Sequence, residues 1–343
     1  MKKLLTLVAS ITAAAIGTAK AEVSASGSGT FYYATGGGST AISVSGAEDS
    51  TIVSGGSIEW AMSTETDNGI TISGGASITR DTDNITSGGG AAAAGGMKKI
   101  TLAMDGMTVQ LGDIDNAGSG AGDGGDVSTF ASTYAGLFFS ANTADAGDAA
   151  NDGIGDGQGI HINTSLTDGV TLDLSYVPQV AEAASSMLTS ATTTGAQGGL
   201  GVGISTTIAE VAVDLGYATA TQTATNTEND TGFGASATYA VSDALSLTAG
   251  GYAGQLSDVD KDGMFVTATY DMDADTTVKV GYATADSTTE ANVVAKAIVT
   301  SVNVSRSLGG GVSVFAEYAN RSDDDTGVDT NGNATVIGTS VSF

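Results

Sequence analysis

Along most of the chain, apolar and small polar residues trade places at every step, the period of a strand with two unlike faces. From 170 to 177 the apolar set is Val170, Leu172, Leu174 and Tyr176, against Thr171, Asp173 and Ser175. Val211, Val213, Leu215 and Tyr217 repeat it against Ala212, Asp214 and Gly216, and Val312, Val314, Ala316 and Tyr318 against Ser313, Phe315 and Glu317. Such runs, rich in Val, Ile, Thr and Tyr and bounded by Gly, Asn and Asp, predict sixteen strands. They cover 22–35, 57–66, 69–79, 97–105, 107–113, 159–166, 169–177 and 199–206, then 209–218, 231–241, 244–254, 263–271, 275–284, 297–306, 311–320 and 333–343.

The connections alternate in length. Tight turns are expected at Asp67-Asn68-Gly69, Asp105-Gly106, Asp168-Gly169, Thr207-Ile208, Ser242-Asp243, Met272 to Asp275 and Leu308 to Gly311. Between them run longer acidic or Gly-rich links. The longest, 113–159, has 47 residues, eight acids (Asp113, Asp115, Asp123, Asp126, Asp145, Asp148, Asp152, Asp156) and no Lys or Arg. A link of that length is functional or unstructured. We read it as a loop folded into the mouth of a barrel, narrowing the bore.

The start of the chain sets the compartment. Lys2 and Lys3, the apolar run Leu4 to Ile16 and Ala19-Lys20-Ala21 have the layout of a signal peptide, so residues 1–21 are expected to be removed and 22–343 to form one domain. A net charge of −27, more negative once Lys2, Lys3 and Lys20 are lost, argues against nucleic acid as a partner. With no cysteine, packing and hydrogen bonds must hold an exported fold. No later apolar run reaches the length of a membrane helix. The choice is between a soluble secreted β protein and a closed barrel whose apolar face lies against lipid.

Aromatic positions favour the barrel. If odd-numbered strands run toward the long loops, Tyr33, Tyr176, Tyr217, Tyr252, Tyr282 and Tyr318 fall at the loop end, and Tyr239, Tyr270 and Phe343 at the turn end. Two such rings are the interfacial girdles of a membrane barrel. Tyr252 is out of phase with Leu245, Leu247 and Ala249, and a bulge at Gly250-Gly251 would restore it. The fold class expected is therefore all-β, a 16-stranded antiparallel transmembrane β-barrel with an inward-folded third loop.

The last strand, Ala334 to Phe343 with Ile337 and Val341 in phase, and Met107 to Asp113 leading into the acidic segment resemble the Gram-negative general porins of alphaproteobacterial type. The resemblance implies a trimeric outer-membrane diffusion channel. It also implies that the segment after the fifth strand forms the constriction, and that Phe343 ends a signal read by the insertion machinery. The constriction is then expected at Asp113, Asp115, Asp123 and Asp126, opposed by Lys99 and Arg80. The positive wall is thin, because Lys98 is in phase with Ile100 and no Lys or Arg occurs from Ile100 to Asp260.

Phase places Glu59, Asp173, Asp214 and Glu317 on the polar face, with Gln110, Asn163, Lys99, Lys279 and the single histidine, His161. A mainly acidic bore concentrates cations, so a cation-preferring pore is expected. Asp258, Asp260, Asp262 and Gly263 open a D-x-D-x-D-G pattern, but its twelfth position is Thr269 rather than Glu. Calcium in an outer loop and solvated acidic turns both remain open readings of that stretch. Gly120 to Gly125 fits G-x-G-x-x-G without a following helix and reads as plain loop. No nucleophile motif or metal-spaced His or Cys is present, so neither an enzyme nor a cofactor is expected. Small residues at Ala25, Gly27, Gly29, Gly74 and Ala76 make a flat outer patch suited to another protein wall, and small solutes, ions and outer-membrane lipid are the other expected partners. The competing reading is a secreted surface-layer or adhesin-like structural β protein; a barrel hydrolase is a weaker third.

Overall fold

The computed structural model describes residues 20–38, 50–80, 93–95, 99–117, 157–178, 198–221, 229–256, 259–289, 294–323 and 332–343. The first eight strands are β1 (Lys20–Gly38), β2 (Ser50–Glu65), β3 (Thr71–Arg80), β4 (Ala93–Gly95 continued by Lys99–Met104), β5 (Met107–Ile114), β6 (Gly157–Thr167), β7 (Val170–Val177) and β8 (Gly199–Ile208). The second eight are β9 (Val211–Ala220), β10 (Asp230–Ser242), β11 (Leu245–Leu256), β12 (Val259–Asp271), β13 (Thr276–Thr289), β14 (Val294–Gly309), β15 (Val312–Asp323) and β16 (Gly332–Ser342). Both pieces of β4 pair with β3, so they are one interrupted strand.

Every strand pairs antiparallel with its neighbours in sequence, and β1 pairs with both β2 and β16, which closes the sheet into a barrel of sixteen strands. Closure leaves no edge with unpaired backbone groups, the condition for crossing hydrocarbon with strands. The last residue takes part in it. Gly27 N–H donates to the Phe343 carbonyl at 2.8 Å and Phe343 N–H to the Gly27 carbonyl at 3.0 Å. The Phe343 ring lies over Gly27, where a Cβ would collide with it, so the outer patch is not flat at that point.

The outward face is apolar and exposed on strand after strand: Ile58, Ile78, Leu174, Val202, Leu215, Val266, Val280, Val302 and Val314 all lie on it. Tyr33, Tyr176, Tyr217, Tyr282 and Tyr318 are exposed toward the loop ends, and Tyr239, Tyr270 and Phe343 toward the turn ends. Such a face is stable against lipid and costly against water.

Two expectations are corrected. Register runs unbroken through Gly250 and Gly251 on both sides of β11, so there is no bulge there, and Tyr252 points inward, 5% exposed. The turn between β8 and β9 is made by Ala209 and Glu210, at φ 49° and 70°, rather than by Thr207-Ile208, which pair with Ala212 and Val211. Register shifts occur instead just before three short turns, at 165–167, 240–242 and 307–309. There a bulge adds the twist that a tight turn demands.

Candidate pore lining and constriction

Inner residues are read from register, starting with the alternation in β7. Leu174 and Tyr176 are exposed outside, so Asp173 and Ser175 face the bore. Cross-strand partners carry that face sideways: Thr101, Gln110, His161, Ser175 and Gly201 form one row, and Thr108, Asn163, Asp173 and Gly203 the next. Within them Asn163 Nδ2 donates to Asp173 Oδ1 at 2.7 Å, and His161 Nε2 lies 3.1 Å from the same oxygen. Asp214 continues the wall on β9 between Ser205 and Ser236. Lys99, on the inner phase of β4, pairs with Gly112, and Glu59 is exposed on the inner phase of β2.

The root of the acidic segment lies on this arc. Ile114 leaves the end of β5 on the inner side and is 1% exposed, packed with Val177 (2%) where Gly159 leaves room. Asp115 is exposed, whereas Asn116 is buried. Ala117 N–H donates to Ser175 Oγ at 2.8 Å, so the chain has crossed β6 to reach the wall at β7 and β8. Asp123 and Asp126 lie outside the described residues, as do Asp145, Asp148, Asp152 and Asp156.

One expected constriction residue takes the other phase: Asp113 pairs with Gln158 and alternates with Leu111 and Val109, opposite to Gln110. It was assigned by its region of sequence, whereas the two-residue period of its own strand decides the face. The side chain of Arg80 lies outside the described residues.

The far arc, from β11 round to β1, is different. Phe265 (1%), Tyr252 (5%), Phe315 (4%), Tyr32 (0%), Val299 (8%) and Val336 (0%) face inward and are buried, with Ala283, Ala319 and Ala334 between them. Aromatic rings cover glycines on neighbouring strands: Phe265 at Gly250, Tyr252 at Gly263, and Phe315 at Gly338, which Tyr32 also crowds. Ring-on-glycine contacts fill the gaps that glycine leaves in a sheet. One row of this arc carries charge at Lys279 and Glu317, with Thr269, Lys279, Asn303 and Glu317 as cross-strand neighbours. Glu317, 2% exposed, accepts a 3.0 Å bond from Asn303 Nδ2. Arg321, also buried, is four residues further along β15 on the same face. Sequence reasoning missed it by ending the strand at 320, although its phase with Glu317 is legible.

Asp260 and Asp262 stand in the extended, doubly paired strand β12, not in a ligand-wrapping loop. Asp258 lies outside the described residues. Among the described residues, no group of three or more His, Cys, Asp or Glu side chains could hold a metal.

A closed antiparallel barrel with a lipid-type exterior, aromatic girdles and charged groups on its inner wall defines an outer-membrane channel protein. The sequence profile of the Gram-negative porins matches residues 4–326, and the chain belongs to that family. This places it in the outer membrane of a Gram-negative cell. Among solved structures, a loop-deletion mutant of OmpT, an outer membrane protein of Vibrio cholerae, superposes with a TM-score of 0.65 at 13% identity, covering 94% of this chain and 99% of that one. A double mutant of the Rh. blastica porin gives 0.63 at 20% identity, over 94% and 100%. A triple mutant of the Rhodopseudomonas blastica porin gives 0.62 at 19%, with the same coverage. No curated protein matches the sequence.

Proposed function

We propose that the protein is a passive diffusion channel for small hydrophilic solutes and ions, cation-preferring, narrowed by the segment 113–159. Signal-peptide removal and assembly as a homotrimer belong to the same reading. One observation carries the cation preference: from Ile100 to Asp260, a stretch that includes β5 to β11, there is no Lys or Arg, so Asp173 and Asp214 face the bore with no Lys or Arg from those strands to offset them. Fixed charge of one sign in a water-filled bore raises the local concentration of the opposite ion. The constriction is supported by the path of Ile114 to Ala117, which turns onto the inner wall rather than away from it.

The test is reversal potential across planar bilayers in a salt gradient near neutral pH. Cation preference is expected; anion preference would defeat the reading. Heat-modifiable migration of the detergent-extracted protein tests the trimer, whose band should collapse to monomer on boiling.

A further inference from the structure

The glycines of β8 are placed where nothing in their backbone requires them. Gly201 and Gly203 avoid the left-handed region that only glycine enters cheaply, and glycine in a strand interior is otherwise a weakness. Space explains them. A Cβ at Gly203 would overlap the Ala117 carbonyl oxygen, and one at Gly201 would overlap Ser175 Oγ and come within 2.7 Å of the Ala117 nitrogen and 3.2 Å of the Asn116 Cβ. Gly250 and Gly338 are crowded by aromatic rings from neighbouring strands; these two are covered by main chain that has crossed from β5. The hydroxyl of Ser175, beside Gly201 in the ladder, accepts the Ala117 N–H.

We infer that Ser175, Gly201 and Gly203 form a seat fixing where the segment 113–159 enters the bore, which makes them positioning residues for the constriction. The inference rests on the constriction reading above and deepens it. Main chain can approach a strand this closely only where side chains are absent, so the glycine pair selects the crossing point and the Ser175 bond sets its height along the barrel. The seat also adjoins Asp173, whose Cβ is 3.2 Å from where a Gly203 Cβ would stand. The position of the root therefore sets how close Asp115 comes to Asp173.

The chain has no cysteine, so a pair can be introduced cleanly. In the full-length protein, A117C with S175C should form a disulfide across 58 residues, seen as faster migration of the heat-denatured chain on a non-reducing gel and lost on reduction. Single-channel recordings of this locked form should carry no more substate noise than those of its reduced form. G203V should reduce crosslinking in the A117C/S175C background and, alone, change conductance by at least about 1.5-fold with added substate noise. S175T, which keeps the hydroxyl, should retain more of the parent's conductance and quiet trace than S175A, which should shift part of the way. Absence of the crosslink would overturn the inference, as would parent-like conductance and noise in both G201V and G203V with the heat-resistant barrel retained. If G203V does not assemble, G203A and the disulfide carry the same test. A parent that conducts nothing defeats the porin reading instead, while the crosslink still reports on the seat.

Discussion

The inner wall from β5 to β9 and the inner wall from β11 round to β1 stand on one continuous ladder and carry opposite chemistry. In the first, Gln110, His161, Asn163, Asp173 and Asp214 are at least partly open to the bore, and His161 and Asn163 both meet the Asp173 carboxylate. In the second, Phe265, Phe315, Tyr32 and Val336 are closed off almost completely, and charge is held in the row ending at Glu317, with Arg321 beyond it. A barrel thus has two separable properties, the face a residue takes and the medium that face meets. Strand phase sets the first. The second depends on what lies beside and across the wall, and the same period-two code serves a wet arc and a dry one.

The comparison can be broken most forcefully by a charge. Val336→Asp buries a carboxylate at a site with no exposure and should cost several kcal/mol, whereas a charge at half-exposed Thr108 on the wet arc should cost little. The temperature at which the folded band is lost on detergent gels reads both. Next, Phe265→Ala should lower stability by about 3–5 kcal/mol through the cavity it leaves, and Asn163→Ala by only about 1 kcal/mol. Equal losses from the two would mean that the arcs do not differ in packing.

The turns beneath the arcs differ as well. Ala209 and Glu210, under the wet arc, hold positive φ without glycine, a strain of about 1–2 kcal/mol per residue. Glu210→Gly should recover about 1 kcal/mol, visible as a higher unfolding temperature. For selectivity, Asp173→Asn should lower the cation-to-anion permeability ratio by about a factor of two, since one charge about 8 Å away in salt-screened water is worth about 0.2 kcal/mol to each ion, with opposite signs. Neutralising a residue on the dry arc's outer face should leave the ratio unchanged.

The smallest effect belongs to the turn under the dry arc. The Asp273 carboxyl is held below its ordinary range, first by the Asp275 N–H (2.9 Å), then by Thr276, with the Arg306 guanidinium at 3.4 Å contributing as well. A depressed folded value means stabilisation that is present above the unfolded pKa and lost as pH falls through the folded one. Asp273→Asn should remove the slight acid-side loss of stability below about pH 4 and, because that stabilisation is fully present above this range, slightly lower stability at neutral pH.

Strand number, the outward face and most of the aromatic girdles were legible in the chain, because alternation, turn residues and apolar content are local and repeat every few residues. Tyr252 shows the limit. Its out-of-phase position was visible, but a bulge and an inward turn look alike until the partners of Gly250 and Gly251 are known. Asp113 shows another, since proximity in sequence to an acidic region does not choose a face.

What the sequence by itself determined was a closed sheet with lipid outside: sixteen alternating runs with sorted loops leave backbone groups no other way to be satisfied in a membrane. Only the tertiary structure decided that one inner arc is dry, that Ala209 and Glu210 make a turn without glycine, and that Ala117 rests over Gly201 and Gly203. Those depend on residues distant in the chain meeting across or around the wall, and a two-residue period carries no record of what it will face.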